Sequence, residues 1–253
     1  MILTAENYFS KEANMEYMSA SQFKSFNNCE AAALAELNGE YEREVTTSLL
    51  VGSYVDAHFE KTLDIFKAKH PEIFTKSGEL KSEYRQAERI IERLERDELF
   101  MRFMSGDKQV IRTGEIDGVK FKIKIDSYHP HDKIVDLKIM KDFEPVWVRG
   151  KGKLNFIEAW GYDIQGAIYQ AIENNCLPFY IAGATKEKTT DIDIFQIPQY
   201  YLDAAMEEVL QKSMRYQAIK QGIIEPERCG HCDYCRMTKV LTTPKSMEEL
   251  DYE

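Results

Sequence analysis

Two aspartates and a lysine, Asp126, Asp136 and Lys138, stand where strand patterning could bring them together for chemistry. The segment from Lys124 to Lys138 reads as two strands turning near His131, which places Asp126 and Asp136 equidistant from the turn and opposite each other. Opposed residues in a strand pair hold their Cβ atoms about 4.5–5.5 Å apart, close enough for two carboxylates to share one cation. Lys138, two residues past Asp136, points to the same side. Ile123, Ile125, Val135 and Leu137 fall on the other side, so an apolar face is buried without help from the charged trio. Two carboxylates this close repel, raising the pKa of one unless a divalent ion compensates them. Hard Mg²⁺ or Mn²⁺ suits such oxygen ligands and can stabilise charge developing on a phosphate. Lys138 would then orient the attacking water or stabilise the pentavalent transition state. Taken alone, the spacing also fits an outward face of ordinary charges. Glu115, near the first strand, is a further candidate.

A second constellation is cysteine-based. Cys229, Cys232 and Cys235 are separated by two residues each, far from Cys29 and Cys176. In a chain read as cytoplasmic, such clustering points to ligation rather than disulfides. C-x2-C-x2-C can wrap three corners of a four-iron, four-sulfur (4Fe-4S) cluster, with Cys29 as the fourth ligand. A four-cysteine Zn²⁺ site is the competing reading. In both, the role is structural, tying the first helix to the C-terminus. Cys176 reads as a buried structural thiol, and Trp147 and Trp160 as core or loop anchors.

The elements that must position these groups follow from periodicity. Helices are expected from Ser19 or Ser21 to about Gly39 with Cys29 on it, from Thr47 to Lys69, from Lys81 to Met104, from Leu154 to Asn174 and from Gln199 to Gly222. Strands are expected after the Asp117-Gly118 turn through Val119, Phe121, Ile123 and Ile125, over 134–139, and near 178–184 and 191–197. This order predicts an α/β domain with a mixed sheet flanked by helices. With 253 residues, 43% hydrophobic and 30% charged, one large domain suffices: an extension at 1–18, a core at 19–236 and a polar tail at 237–253. No apolar run is long enough to span a membrane and Met1–Asn7 lacks the order of a secretory signal, so a cytoplasmic location in a bacterium or phage-infected host is expected. A net charge of −10 argues against a general nucleic-acid coat protein but leaves room for a local basic groove.

Asp126 followed by Asp136-Leu137-Lys138 resembles the PD-(D/E)XK nucleases, whose fold is the restriction-endonuclease-like core. The chain further resembles the RecE, RecB and AddB branch, through Gln165-x-x-x-Tyr169 on a helix and Gly52-x5-His58 upstream. That resemblance implies Gln165 near the catalytic groups, Tyr169 near the DNA backbone, and His58 as a third ligand to the ion. One cysteine before the core and three after it is similar to the iron–sulfur nucleases of AddB and CRISPR adaptation, whose last spacing is usually longer. Ala184-Thr185-Lys186-Glu187 also looks RecE-like, with Lys186 a candidate phosphate contact. For a RecE-like exonuclease the implied activity is Mg²⁺-dependent 5′-to-3′ digestion of one strand of linear duplex DNA. It would leave a 3′ overhang for a single-strand annealing protein. The implied assembly is a homo-oligomeric ring around DNA, with Lys120, Lys122 and Lys124 as candidates for its basic lining. A CRISPR-adaptation-type nuclease and a non-catalytic metal-binding recruitment module are the alternatives; the intact trio counts against the latter.

Overall fold

The computed structural model describes residues 1–244, 246 and 247; the remainder of the expected 237–253 tail lies outside the described residues. Helix α1 (Lys11–Glu16) starts at Ser10, whose hydroxyl accepts from the Ala13 amide. A two-residue strand β1 (Met18–Ser19) leads into α2 (Ala20–Asn28), with the Ser19 hydroxyl capping its amides. The expected single helix through Cys29 is interrupted there: Cys29 is extended (φ −165°, ψ 109°), ends α2 and begins α3 (Glu30–Asn38). An extended residue at that point takes Cys29 off the regular helical track and sets it beside the C-terminal cysteines. The Thr47–Lys69 expectation likewise splits into α4 (Thr47–Phe59) and α5 (Leu63–Lys69), around Lys61 at φ 62°. Asp97 divides the next into α6 (Arg85–Glu95) and α7 (Glu98–Phe103) by capping Phe100 N at 2.9 Å.

Strand β2 (Val110–Ile116) and β3 (Val119–Ile125) form an antiparallel hairpin. Its two turn residues, Asp117 and Gly118, both have positive φ, which the Asp-Gly pair tolerates. Across β3, β1 pairs parallel. The chain then changes sheets at Asp126: β4 (Ser127–His129) pairs antiparallel with β5 (Lys133–Met140). After a separate hairpin of β6 (Val146–Val148) and β7 (Gly152–Leu154) come α8 (Phe156–Ala159) and α9 (Tyr162–Glu173), which were expected as one helix. Gly161 at φ 62° divides them. Strand β8 (Phe179–Thr185) returns parallel to β5, and β9 (Ile192–Ile197) closes the sheet antiparallel, giving the order β4-β5-β8-β9. The long α10 (Gln199–Lys220) and short α11 (Asp233–Met237) complete the chain. The fold is a mixed α/β domain flanked by helices, as expected from the element order.

Two cores meet at the sheet-switching residue. Ile123 and Ile125 pack with Phe23, Phe121, Ile168 and Phe179 beneath α2, α9 and α10. Val135 and Leu137 pack instead with Val55, Ile90, Ala182 and Ala184 beneath α4 and α6. The four residues expected to share one apolar face therefore serve opposite sides, because β3 and β5 belong to different sheets. The N-terminal residues are part of this packing, with Tyr8, Ala13, Tyr17 and Met18 all buried. No helix among the described residues is long and apolar enough to cross a membrane.

Candidate active site

The expected register holds. Ser127 pairs with Val135 and Tyr128 with Ile134, so Asp126 lies one step past the last pair, opposite Asp136. One Asp126 oxygen accepts from Leu137 N at 3.0 Å and the other from the Gln109 side chain at 3.2 Å. Asp136, 2% exposed at its side chain, accepts from Gln165 Nε2 at 2.6 Å, and its other oxygen faces the Lys138 ammonium. Burial, and then the Asp136 charge, push the Asp126 carboxyl up to about 7, with Lys138 and the Leu137 amide partly offsetting them. Burial alone would lower Lys138, but the Asp136 and Asp126 carboxylates outweigh it and hold the ammonium above its ordinary value.

Gln165 joins the site because α9 lies unusually close to β8: a Cβ on Gly166 would come within 2.7 Å of the Phe179 ring. Tyr169 sits elsewhere than expected. It is buried, its hydroxyl donates to Lys124 O at 2.9 Å, and it accepts from Gln165 at 3.2 Å. Tyr169 thus holds α9 to β3 and positions Gln165, with no surface free for a DNA backbone.

The upstream helix contributes a carboxylate that the sequence reading passed over. Gly52 packs α4 against Ile139, and four residues on, the same helical face carries Asp56 and then Glu60. Asp56 and Glu60 line one small cavity with Gln109, Asp126 and Leu137. Asp56 Oδ1 is buried with no hydrogen-bond partner among the described residues. Its carboxyl is driven well above the usual range by burial and then by Asp126. His58 corrects the earlier expectation: two residues from Asp56 on a helix, it faces away, bonding Glu95 at 2.8 Å through Nε2. One buried and two half-buried carboxylates, the latter pushed toward protonation and one of them with an orphaned oxygen, form a donor set suited to a hard divalent cation. Lys24 and Tyr162 were also missed. The Tyr162 ring lies 5.5 Å from Lys138 Nζ and 5.2 Å from Lys24 Nζ, and burial followed by the Lys138 charge lowers Lys24 to about 8.

The proposed lysine lining is largely covered. Lys122 is 1% exposed and donates to Tyr8 O and to Asn14 Oδ1, the latter at 2.7 Å, so it is unavailable to DNA. The N-terminal segment lies over this face: Lys124 sits 5.0 Å from the Phe9 ring and 3.5 Å from Glu60, and Lys120 pairs with Glu16 at 3.0 Å. Lys186 donates to Ser48 O at 3.2 Å. Glu115 is exposed across from Lys120, remote in register from Asp126. Cys176 is exposed beyond α9 rather than buried, because that helix ends at Asn174 with φ 52°. Trp147 and Trp160 are 77% and 54% exposed and anchor no core.

The four cysteines converge as expected. Cys29, Cys229, Cys232 and Cys235 have their sulfurs within 4.8 Å of one another, with Cys29 to Cys235 at 3.6 Å and Cys229 to Cys235 at 3.9 Å. Among the described residues, no carboxylate set is drawn together this tightly. Amides of Cys232 and Cys235 donate to the sulfurs of Cys229 and Cys232. Burial raises the Cys229 thiol, but the His231 and Cys232 amides and neighbouring thiols outweigh it, bringing it down to about 6. Arg215 on α10 braces the cluster's base, bonding both Glu30 oxygens at 2.7 and 2.8 Å and Glu227 at 3.1 Å.

Comparison with known proteins places the fold in a family. Residues 19–238 match the family model described as a PDDEXK-like domain of unknown function (DUF3799). The chain belongs to this family, and so to the PD-(D/E)XK superfamily. It is similar to the crystal structure of a candidate exonuclease from Eubacterium rectale, with 52% identity over 97% of both chains and a TM-score of 0.91. A second solved structure, SSO0001, aligns at 14% identity and a TM-score of 0.31 over 73% of this chain and 82% of its own, which carries no argument. Among curated proteins, none matches.

Proposed function

We propose that the protein is a divalent-metal-dependent DNA exonuclease, with Asp56, Asp126 and Asp136 holding the ion and Lys138 acting on the reacting phosphate. The observation that carries this is the convergence of three carboxylates, one buried and two half-buried, and one lysine where the chain changes sheets. The 52% identical candidate exonuclease supports it. A Mg²⁺ or Mn²⁺ ion bound there supplies Lewis acidity to the scissile phosphate and the attacking water. The protein's own groups do the rest. The Leu137 amide and Gln109 fix the Asp126 carboxylate, Gln165 fixes Asp136, and Tyr169 fixes Gln165. Lys138, held fully protonated by its two carboxylates, directs a proton toward the attacking water or the pentavalent oxyanion.

The finer reading, 5′-to-3′ digestion of linear duplex leaving a 3′ overhang for an annealing partner and a ring-shaped assembly, rests on the resemblance to RecE-like proteins. For the cysteine cluster, sulfur separations of 3.6 and 3.9 Å suit the edges of a tetrahedron around one ion with bonds of about 2.3 Å. A four-iron cluster is larger and needs its thiolates further apart, so we assign a structural Zn²⁺. The test of the activity is purified protein with Mg²⁺ and end-labelled linear duplexes differing in 5′ phosphorylation. Stepwise loss of nucleotides from one strand is expected. Absence of Mg²⁺-dependent cleavage of any linear DNA would overturn the assignment.

A further inference from the structure

The hairpin β6–β7 is built unlike the rest of this acidic chain. Its residues 146–154, Val-Trp-Val-Arg-Gly-Lys-Gly-Lys-Leu, hold three cations and no carboxylate, in a protein with net charge −10. Register divides its faces: Val146 pairs with Leu154, and Trp147 pairs with Lys153. Val146 packs on the main core, so Trp147 and Lys153 stand together on the face turned away from it. Arg149, Lys151 and Lys153 are exposed and make no hydrogen bond or ion pair through their side chains among the described residues. Gly150 and Gly152 at the turn have positive φ, and a Cβ on either would meet nothing within 4 Å, so the turn stands in open solvent. A two-stranded ribbon exposing a tryptophan and three cations, of which only Lys151 acts on a carboxylate, Glu208 on α10, has no folding reason to keep the rest there.

The hairpin is also connected to the catalytic groups. A groove is lined by Pro145 and Val146 at its root, by Trp160, by Lys186, and by Tyr162, whose ring lies beneath Lys138 Nζ. Asp142 on the groove wall is already engaged, by the Lys141 ammonium at 3.1 Å and the Glu144 amide at 3.1 Å. The groove therefore runs from beside Lys138 to the root of the basic ribbon, around whose edge Trp147 and the cations lie.

We propose that the β6–β7 hairpin is a single-strand DNA grip: an unpaired strand at the substrate end runs from the Lys138 site past Trp160, stacks a base on Trp147 and lays its phosphates on Arg149, Lys151 and Lys153. The occupant is a single strand because aromatic faces stack only on unpaired bases, while the cations follow the backbone without reading sequence. This rests on the nuclease reading of the neighbouring site, yet binding can be measured apart from catalysis. It also replaces the covered Lys122 face with a basic surface that is open to solvent.

Both tryptophans of the chain lie in the proposed path, so intrinsic fluorescence reports on it directly. Full-length protein in EDTA would be titrated with single-stranded oligothymidylate of about 20 nucleotides, and separately with a blunt duplex of the same length. The single strand is expected to quench the emission and to bind more tightly than the duplex. Trp147→Ala should weaken binding roughly ten-fold. The triple variant Arg149→Ser, Lys151→Ser, Lys153→Ser should flatten the slope of log affinity against log salt by about 2, at roughly 0.7 per lost phosphate contact. These positions are exposed, and an unchanged thermal transition verifies folding. A wild type that degrades DNA while showing no quenching, with hairpin variants of unchanged KM, overturns the grip and leaves the nuclease standing. Quenching without any hydrolysis does the reverse. Equal response to the blunt duplex, or a concentration-dependent dimer lost in Trp147→Ala, also overturns it.

Discussion

Gln165 donates to the Asp136 carboxylate at 2.6 Å from a helix whose next residue, Gly166, has no room for a side chain. The amide thereby fixes which oxygen of Asp136 turns toward Lys138. A charge-assisted bond of this kind contributes about 1.5–3 kcal/mol. Gln165→Ala should lower kcat roughly ten- to hundred-fold with little change in KM for DNA, since Gln165 touches no exposed surface. Tyr169→Phe removes the bond to Lys124 O and should give a smaller loss of the same kind. Single-turnover kinetics beside thermal unfolding checks both. A loss confined to KM would mean these residues contact DNA after all.

Helix α4 gives a sharper contrast. Asp56 and His58 are two residues apart, and only Asp56 opens into the cavity beside Asp126. Asp56→Asn, like Asp126→Ala, Asp136→Ala and Lys138→Ala, should abolish Mg²⁺-dependent cleavage while the fold persists. His58→Ala, which loses one half-exposed contact to Glu95, should keep activity within about two-fold, as expected of a surface change. Isothermal titration of Mn²⁺ distinguishes the two: binding should disappear in Asp56→Asn and persist in His58→Ala.

The cysteine cluster yields a third outcome. Protein purified without added metal should contain about one zinc per chain and be colourless, as a single tetrahedral site requires. Serine at Cys29, Cys229, Cys232 or Cys235 should destabilise the whole domain, because metal binding and folding are coupled. Elemental analysis with an absorbance spectrum settles the occupant. Brown anaerobic protein with four irons per chain would restore the cubane.

The Asp126, Asp136 and Lys138 geometry was legible because a strand has period two and a symmetric hairpin fixes its own register. The sheet switch at Asp126 was not, since β3 and β4 run on with only that residue between them and nothing local says which partner each takes. Asp56 was hidden by the choice of anchor: measured from Gly52, the helical repeat of 3.6 reaches Asp56 and passes over His58. The Lys120, Lys122 and Lys124 stripe looked solvated because alternation fits a strand with one wet face, whereas the covering segment, Tyr8 to Glu16, is distant in sequence. Cys29 could be named as a ligand but not as a helix break, because a capped helix start at Ser19 before it and the alanines at 31–33 and 35 after it suggest one continuous helix.

The ionisation of Asp126 makes the last prediction. Its folded pKa stands near 7 against an ordinary 3.8, with burial and Asp136 as the causes. A raised carboxyl stabilises the fold most below pH 3.8, where the group is protonated in both states. That contribution is lost as pH rises through 7 and the folded protein must ionise it. At about 1.4 kcal/mol per unit, the metal-free protein is penalised on the order of 4 kcal/mol at pH 8. Asp56, raised by burial and then by the Asp126 charge, acts in the same direction. The buried Lys122 and Lys220, lowered by burial to about 8 and about 7, work in the opposite sense and higher up the scale, adding stability only as pH rises above those values. Absolute stability against pH therefore mixes both signs, and the differences with and without Mg²⁺ isolate the carboxylates. The rise in Tm on adding Mg²⁺ should be small at pH 5.5 and several degrees at pH 8. Asp126→Asn should raise the metal-free Tm at pH 8 and remove most of the Mg²⁺ effect, while leaving the lysine-dependent part of the profile in place. Differential scanning fluorimetry across this range, in EDTA and in Mg²⁺, measures all of these. A Mg²⁺ stabilisation that stays constant from pH 5.5 to 8 in the wild type would show that the ion does not compete with protons for Asp126.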